Sequence, residues 1–261
     1  MSGPDVVVPP ERVIHFMLVL ARLSGLMIAA PLFGHQGVPA RVRVAVSVAT
    51  ALGLAGLVPV GAAAHIVDVP GLVGPLVLEL GAGLMVGLAA ELVLSGAIMG
   101  GEVAGIQMGL GIAQVVDPRT QLHMTPVALW VQFVALQVFL AVDGHHLLLQ
   151  ALLRSFEVAP PGSLGFSGRE VGGLLASVGG AFEVAVRIAA PVLGGLLITD
   201  AALGLVARAV PQLNVFFMGF AIKIGVGFFL LAAGLPYAVR FIGERLTGLD
   251  RLLGGLIGNL G

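Results

Sequence analysis

The chain has 261 residues, 58% of them hydrophobic and only 10% charged, with a mean hydropathy of +1.07. A soluble domain carries about 25% charged residues, so this composition excludes an ordinary soluble globular protein. A formal net charge of −1 gives no basic footprint for a nucleic-acid partner, and the absence of Cys excludes disulfides, thiolate metal sites and a Cys nucleophile.

Residues 1–11 are Pro-rich, contain Asp5 and Glu11, and read as a flexible N-terminus. They lack the basic start of a secretory signal, so the apolar run behind them is kept as mature structure. That run, 13–33, is long enough to span a membrane, which takes about 20 apolar residues. It contains Arg22 and ends in the breakers Pro31, Gly34, Gly37 and Pro39. Arg41 and Arg43 open a second stretch, and residues 44–67 then carry no Asp, Glu, Lys or Arg, with Pro59 placed to kink or end it. A third apolar stretch runs over 71–108 and is 38 residues long. As one helix it would measure about 57 Å, against a hydrocarbon core of about 30 Å. It is therefore either a hairpin or a helix projecting well beyond a bilayer.

Residues 109–121 read as a loop ending at Asp117-Pro118. The fourth stretch, 120–142, is free of formal charge and stops at Asp143-Gly144. Residues 143–170 are the most polar connection, with Pro160-Pro161-Gly162 as a turn. The fifth stretch, 171–206, is over-long like the third. The sixth follows Pro211 and runs to about 239, and 244–261 reads as an amphipathic tail with Leu246, Leu249, Leu253 and Leu256 at helical spacing. The reading is an all-α, integral membrane-type chain with about six apolar segments in a single domain over 1–261.

Eight ionisable residues interrupt these runs: Arg22, Glu79, Glu91, Glu102, Glu183, Arg187, Asp200 and Lys223. On insertion scales each costs roughly 2.5–3.5 kcal/mol at the centre of a lipid-facing helix. They must pair, face a wet cavity, or lie outside the hydrocarbon. Glu183 and Arg187 are four apart and can pair on one helix. Glu91 and Glu102 are eleven apart, about three turns, and share a face if the helix is continuous. The set reads as a polar seam meeting neighbouring helices or subunits, or alternatively as a proton or ion relay through Glu91, Glu102 and Lys223. Gly83 with Gly87, Gly96 with Gly100, and Gly101 with Gly105 and Gly109 have the small-xxx-small spacing of close helix contacts.

Motifs for catalysis and cofactors are absent. His145 and His146 follow Asp143-Gly144, but H-E-x-x-H is missing, and a capping or loop role is the plainer reading. Asp143 and Asp200 lack an intramembrane-protease context, no serine sits in G-x-S-x-G, and there is no phosphate-binding P-loop. No enzyme activity, metal or cofactor is expected. A stand-alone proton-coupled transporter or channel using the intramembrane carboxylates is the competing class, although no inverted repeat is visible.

Four blocks, taken together, resemble one family. ARLSGLMIAAPLFGHQGVPARVRVAVSVATALGLAGLVP (21–59), GEVAGIQMGLGIAQVVDPRTQ (101–121), LAVDGHHLLLQALLRSFEVAPPG (140–162) and ARAVPQLNVFFMGFAIKIGVGFFLLAAGLP (207–236) follow in order. They are similar to the FliR proteins of the flagellar export gate, which are related to the SctT proteins of virulence type III secretion. The NVFFMGFAIKIGVG segment (214–227) resembles the flagellar branch. The resemblance implies a non-enzymatic subunit in the bacterial inner membrane at the flagellar basal body, made of long kinked helices and helical hairpins. It implies a helical gate built with FliP-like and FliQ-like subunits, with FlhB-like and FlhA-like components as neighbours and unfolded export substrates as cargo. It also implies that the loop after the third stretch plugs the pore. Here that is Gln107, Met108, Gly109, Leu110, Gly111, Ile112, Ala113, Gln114, Val115, Val116 and Asp117. Glycines that permit bending, with large aliphatic residues that exclude water, suit a constriction that gates by dewetting.

Overall fold

A computed structural model describes residues 9–34, 38–59, 69–111, 124–165, 168–210, 212 and 214–249. Among them are seven helices: α1 (Pro10–Ala29), α2 (Ala40–Ala55), α3 (Val69–Gln107), α4 (Pro126–Ala141), α5 (Gly144–Val158), α6 (Arg169–Ala209) and α7 (Val215–Thr247). Strands are absent from the described residues. Four helices are long and apolar enough to cross a membrane, or five spans if α4 and α5 together count as one. The chain is all-α and of membrane type.

Local chemistry sets the helix ends. Pro9 precedes α1 and Pro10 opens it, where a missing N–H costs nothing. Ala30 turns to an extended conformation before Pro31, because a residue preceding proline is disfavoured in the α region. The uncharged run 44–67 is divided: α2 holds only 16 residues and stops before Gly56, with Pro59 just beyond. The rest of that run, 60–67, lies outside the described residues. Thr125 caps α4 by accepting a hydrogen bond from Ala128 N at 3.2 Å.

The third stretch is one continuous helix of 39 residues and not a hairpin, and the fifth is a single helix of 41. At 1.5 Å per residue these reach about 58 and 62 Å, twice the hydrocarbon thickness. Pro75, Pro191 and Pro236 lie inside α3, α6 and α7 without ending them. The polar connection 143–170 contains a helix that the composition concealed, α5. Its buried residues Leu148, Ala151, Leu152, Ser155 and Phe156 follow the three-and-four spacing of one helical face. α7 continues past Glu244 to Thr247, so the first turn of the expected tail belongs to it; residues 250–261 lie outside the description.

The helices form two compact units, one of Met1–Glu91, Asp143–Ser177 and Thr247–Gly261, the other of Leu92–Val142 and Val178–Leu246. In the first, α1 and the beginning of α3 pack around Leu18, Leu23, Leu26, Val86 and Ala90, with Leu152 and Phe156 of α5. His15 Nε2 lies 3.2 Å from Ala55 O and joins α1 to the end of α2. In the second, the end of α3 meets α4 and α6, and α6 pairs antiparallel with α7. Buried residues there include Ala97, Ala104, Val131, Ile188, Leu196 and Ile242.

Candidate functional site

Glycine spacing decides how α3 is packed. A Cβ on Gly83 would strike the Arg22 carbonyl, and one on Gly87 would come within 2.8 Å of Ala29 Cβ. Gly25 of α1 reciprocates against the backbone of Leu80 and Leu84. Gly96 abuts the Ala181 carbonyl and Gly100 lies against Ala185 and Ile188, both on α6. Gly101 faces Val131 and Gly105 faces the Thr125 side chain. The six glycines therefore make three separate i, i+4 seams on three faces of one helix, toward α1, α6 and α4, all within this chain.

Arg22 is fully buried in the first unit. Its Nε donates to Glu79 Oε2 at 2.5 Å, one terminal nitrogen donates to Ser155 Oγ at 3.0 Å, and the other donates to the Ala159 carbonyl at 3.0 Å. Glu79 Oε1 accepts from Gly162 N at 2.7 Å. The guanidinium also lies 4.2 Å from the Phe156 ring centroid. A charge taken out of water is tolerated only when paired and hydrogen-bonded, and both conditions are met. The network ties α1, α3, the end of α5 and the following turn. Glu91, half-buried on α3, is also partnered.

Charges in the second unit are less enclosed. Glu102 accepts from Thr125 N at 2.7 Å and from Thr125 Oγ1 at 3.0 Å, so it anchors the residue that caps α4. A carboxylate at a helix N-terminus also meets the favourable end of the helix dipole. Glu183 and Arg187 pair at 2.9 Å, and Arg245 of α7 bonds the second oxygen of Glu183. Lys223 pairs with Asp200 at 2.5 Å, and Gln107 Nε2 reaches Asp200 at 3.4 Å. Glu102 and Lys223, two of the relay candidates, are thus engaged with different neighbours.

The turn after α3 has a defined geometry. Gly109 has φ +88°. Its N–H bonds the Ile106 carbonyl at 2.9 Å, and Leu110 N bonds the Gly105 carbonyl at 3.0 Å. This pair of bonds around a left-handed glycine is the Schellman helix stop. Met108 is fully buried and rests on Gly227, where a Cβ would lie 2.5 Å from its Cγ. Gly109 faces the Phe220 ring, 2.7 Å from where a Cβ would stand. The first residues of the expected plug, Gln107, Met108 and Gly109, are therefore held against α6 and α7. Ile112, Ala113, Gln114, Val115, Val116 and Asp117 lie outside the described residues.

Asp143, His145 and His146 bring their ligand-type atoms within 4.8 Å of one another. Asp143 stands in the left-handed region at φ 54° and caps α5 through its carbonyl, bonded by His146 N and Leu147 N, and not through its side chain.

Sequence reasoning missed Ser155, Ala159 and Gly162 as partners of the Arg22–Glu79 pair, Arg245 as the third member at Glu183, and Thr125 as the partner of Glu102. A signal existed for Thr125, since Thr-Pro ahead of an apolar run is a helix-start pattern. None existed for the others, which lie 133 to 137 residues from Arg22 for Ser155 and Ala159.

Apolar helices twice as long as a bilayer core is thick, with ion pairs set inside them, define a membrane-type protein of helical hairpins. The family model for bacterial export proteins, family 1, matches residues 13–249. The flagellar biosynthetic protein FliR of Bacillus subtilis is 33% identical over 219 residues, covering 83% of this chain and 84% of the relative. FliR of Caulobacter vibrioides is 30% identical over 218 residues, covering 84% and 87%. FliR of Escherichia coli is 29% identical over 245 residues, covering 92% of each. The chain belongs to the FliR family of bacterial export proteins.

Proposed function

We propose that the chain acts as one non-enzymatic subunit of the flagellar type III protein export gate in the bacterial inner membrane. With FliP-like and FliQ-like subunits it forms the pore for unfolded flagellar proteins, beside FlhB-like and FlhA-like components. Residues 107–117 plug that pore in the closed state. The observation that carries the reading is the family match over most of the chain. Half-exposed ion pairs on helices otherwise apolar enough to cross a membrane support it. Most of the apolar surface of α7 is left uncovered, whereas half of α1 is buried. The exposed faces of α6 and α7, with Asp200, Glu183 and Arg187 on the first and Lys223 on the second, suit contact with further protein or a wet pore better than contact with lipid alone.

The Schellman stop at Gly109 supports the plug. It ends α3 sharply and sends an apolar segment onward from a fixed point, whereas a merely connecting loop would be polar. Deleting residues 110–114 is expected to leave the gate complex assembled while the membrane leaks small ions, measured as conductance normalised to assembled complex. Assembled complexes that stay ion-tight would remove the plug role. A chain that purifies without stoichiometric small membrane partners, and that moves protons in liposomes, would replace the gate reading with a transporter.

A further inference from the structure

The turn that ends α3 is fastened at three places along one face of α7. Phe220, Lys223 and Gly227 stand three and four positions apart, so they share that face. Phe220 lies against Gly109, and Gly227 carries Met108. Between them Lys223 pairs with Asp200 of α6 at 2.5 Å. The other oxygen of Asp200 accepts a hydrogen bond from Gln107, the last residue of α3, at 3.4 Å.

The fastenings differ in kind. Met108 is fully buried against a glycine that leaves it room, and pulling it out would return a large apolar side chain to water. The middle fastening is polar, and both Asp200 and Lys223 are partly exposed. Water replaces such contacts at little cost, and 3.4 Å is long for an N–H donor. Met108 is therefore the fixed point of the turn, and the bond from Gln107 to Asp200 is the contact that is readily made and broken.

The two partners of Asp200 have separate tasks. A carboxylate on an apolar helix is costly unless it is countered, and Lys223 supplies the opposite charge. That leaves the second oxygen for the neutral amide of Gln107. Gly109, two residues on, is where the backbone turns into the left-handed region. A hold on Gln107 thus sets the direction in which the chain leaves α3.

We propose that Asp200, charged against Lys223, is a latch on the base of the plug. Closed, it holds Gln107 and the turn at Gly109 against α6 and α7. Released, it lets the turn pivot about Met108 and the pore open. Asp200 and Lys223 are positioning residues in this role, acting through Gln107. The inference rests on the assignment of residues 107–117 to the plug.

The chain has no Cys, so Gln107→Cys with Asp200→Cys gives one thiol pair to join with a reducible bis-thiol crosslinker in the assembled gate complex. Without the crosslink the double variant lacks the latch and should leak small ions. With it the leak should stop and protein export should be lost, and reduction should reverse both. Each readout is normalised to assembled complex. Gln107→Leu keeps the Asp200–Lys223 pair and removes only its hold on α3. It should leak while the isolated chain unfolds at the parent temperature, whereas a merely structural pair predicts a tight membrane. Export that continues through the crosslinked complex overturns the latch. So does a Gln107→Leu complex that stays ion-tight while the deletion of 110–114 leaks, and the plug then stands without it. A deletion of 110–114 that stays ion-tight removes the plug and the latch together.

Discussion

Arg22 and Lys223 are both cations inside apolar helices, yet the two units treat them differently. In the first unit the Arg22–Glu79 pair is 0% exposed, and Ser155, Ala159 and Gly162 each hydrogen-bond one of its members. In the second unit the Lys223–Asp200 pair is 26% and 36% exposed, and the Arg187–Glu183 pair is 50% and 38% exposed. A buried pair is held by the full set of its hydrogen bonds and fails when one partner is removed. A half-exposed pair is screened by water and contributes little by itself. The contrast separates charges that stabilise this chain from charges available to its surroundings.

The largest expected effect tests the enclosed network. Arg22→Met leaves Glu79 buried without its counter-ion, at a cost of about 3–5 kcal/mol. Thermal unfolding of the detergent-solubilised chain should show it, and Glu79→Leu added to Arg22→Met should recover part of the loss. An Arg22→Met chain as stable as the parent would break the contrast from its stronger side.

Gly105→Leu comes next. Its side chain must displace Thr125, for an overpacking cost of about 1–3 kcal/mol. Because the seam lies within the chain, the isolated protein should be destabilised before any partner is added. Normal stability with lost complex yield would instead place the Gly105 face between subunits. Thr125→Ala removes the cap of α4 and the hydroxyl bonded to Glu102, a loss of about 1 kcal/mol; an unchanged unfolding midpoint would show that the cap is dispensable.

The smallest effect on the isolated chain is expected for Asp200→Asn, at or below about 1 kcal/mol. Its yield of assembled complex should fall by more than that stability loss explains. If instead it destabilises the isolated chain as much as Arg22→Met, the two units treat charge alike and the contrast fails from its weaker side.

Much of this was legible in the chain. The Glu183–Arg187 pair was readable because both residues sit on one helix, four positions apart, so local geometry alone brings them together. The glycines of α3 announced close contacts, but spacing cannot name the partner. Gly83, Gly96 and Gly101 turned out to face α1, α6 and α4. The acidic stripe of Glu91 and Glu102 is correct as helix periodicity, but periodicity says nothing of what stands opposite, and Glu102 is turned to Thr125. α5 was hidden by polarity. Its exposed face carries His146, Arg154 and Glu157, and only the regular recurrence of Leu148, Leu152 and Phe156 marks its buried side.

Composition and length by themselves determined that this protein is helical and of membrane type, because an apolar backbone away from water must bond within its own segment. The same local rules mark the break after α1 and the stop of α3 at Gly109, whereas the fourth stretch, read from 120, becomes helical only at Pro126, behind the Thr125 cap, and α1 begins at Pro10, three residues before the apolar run. The tertiary structure alone decided which charges are enclosed. Arg22 and Ser155 lie 133 residues apart, and no periodicity links them. Their meeting follows from α1 seating on Gly83 and Gly87, which brings the guanidinium to Glu79 and leaves it no water to use instead.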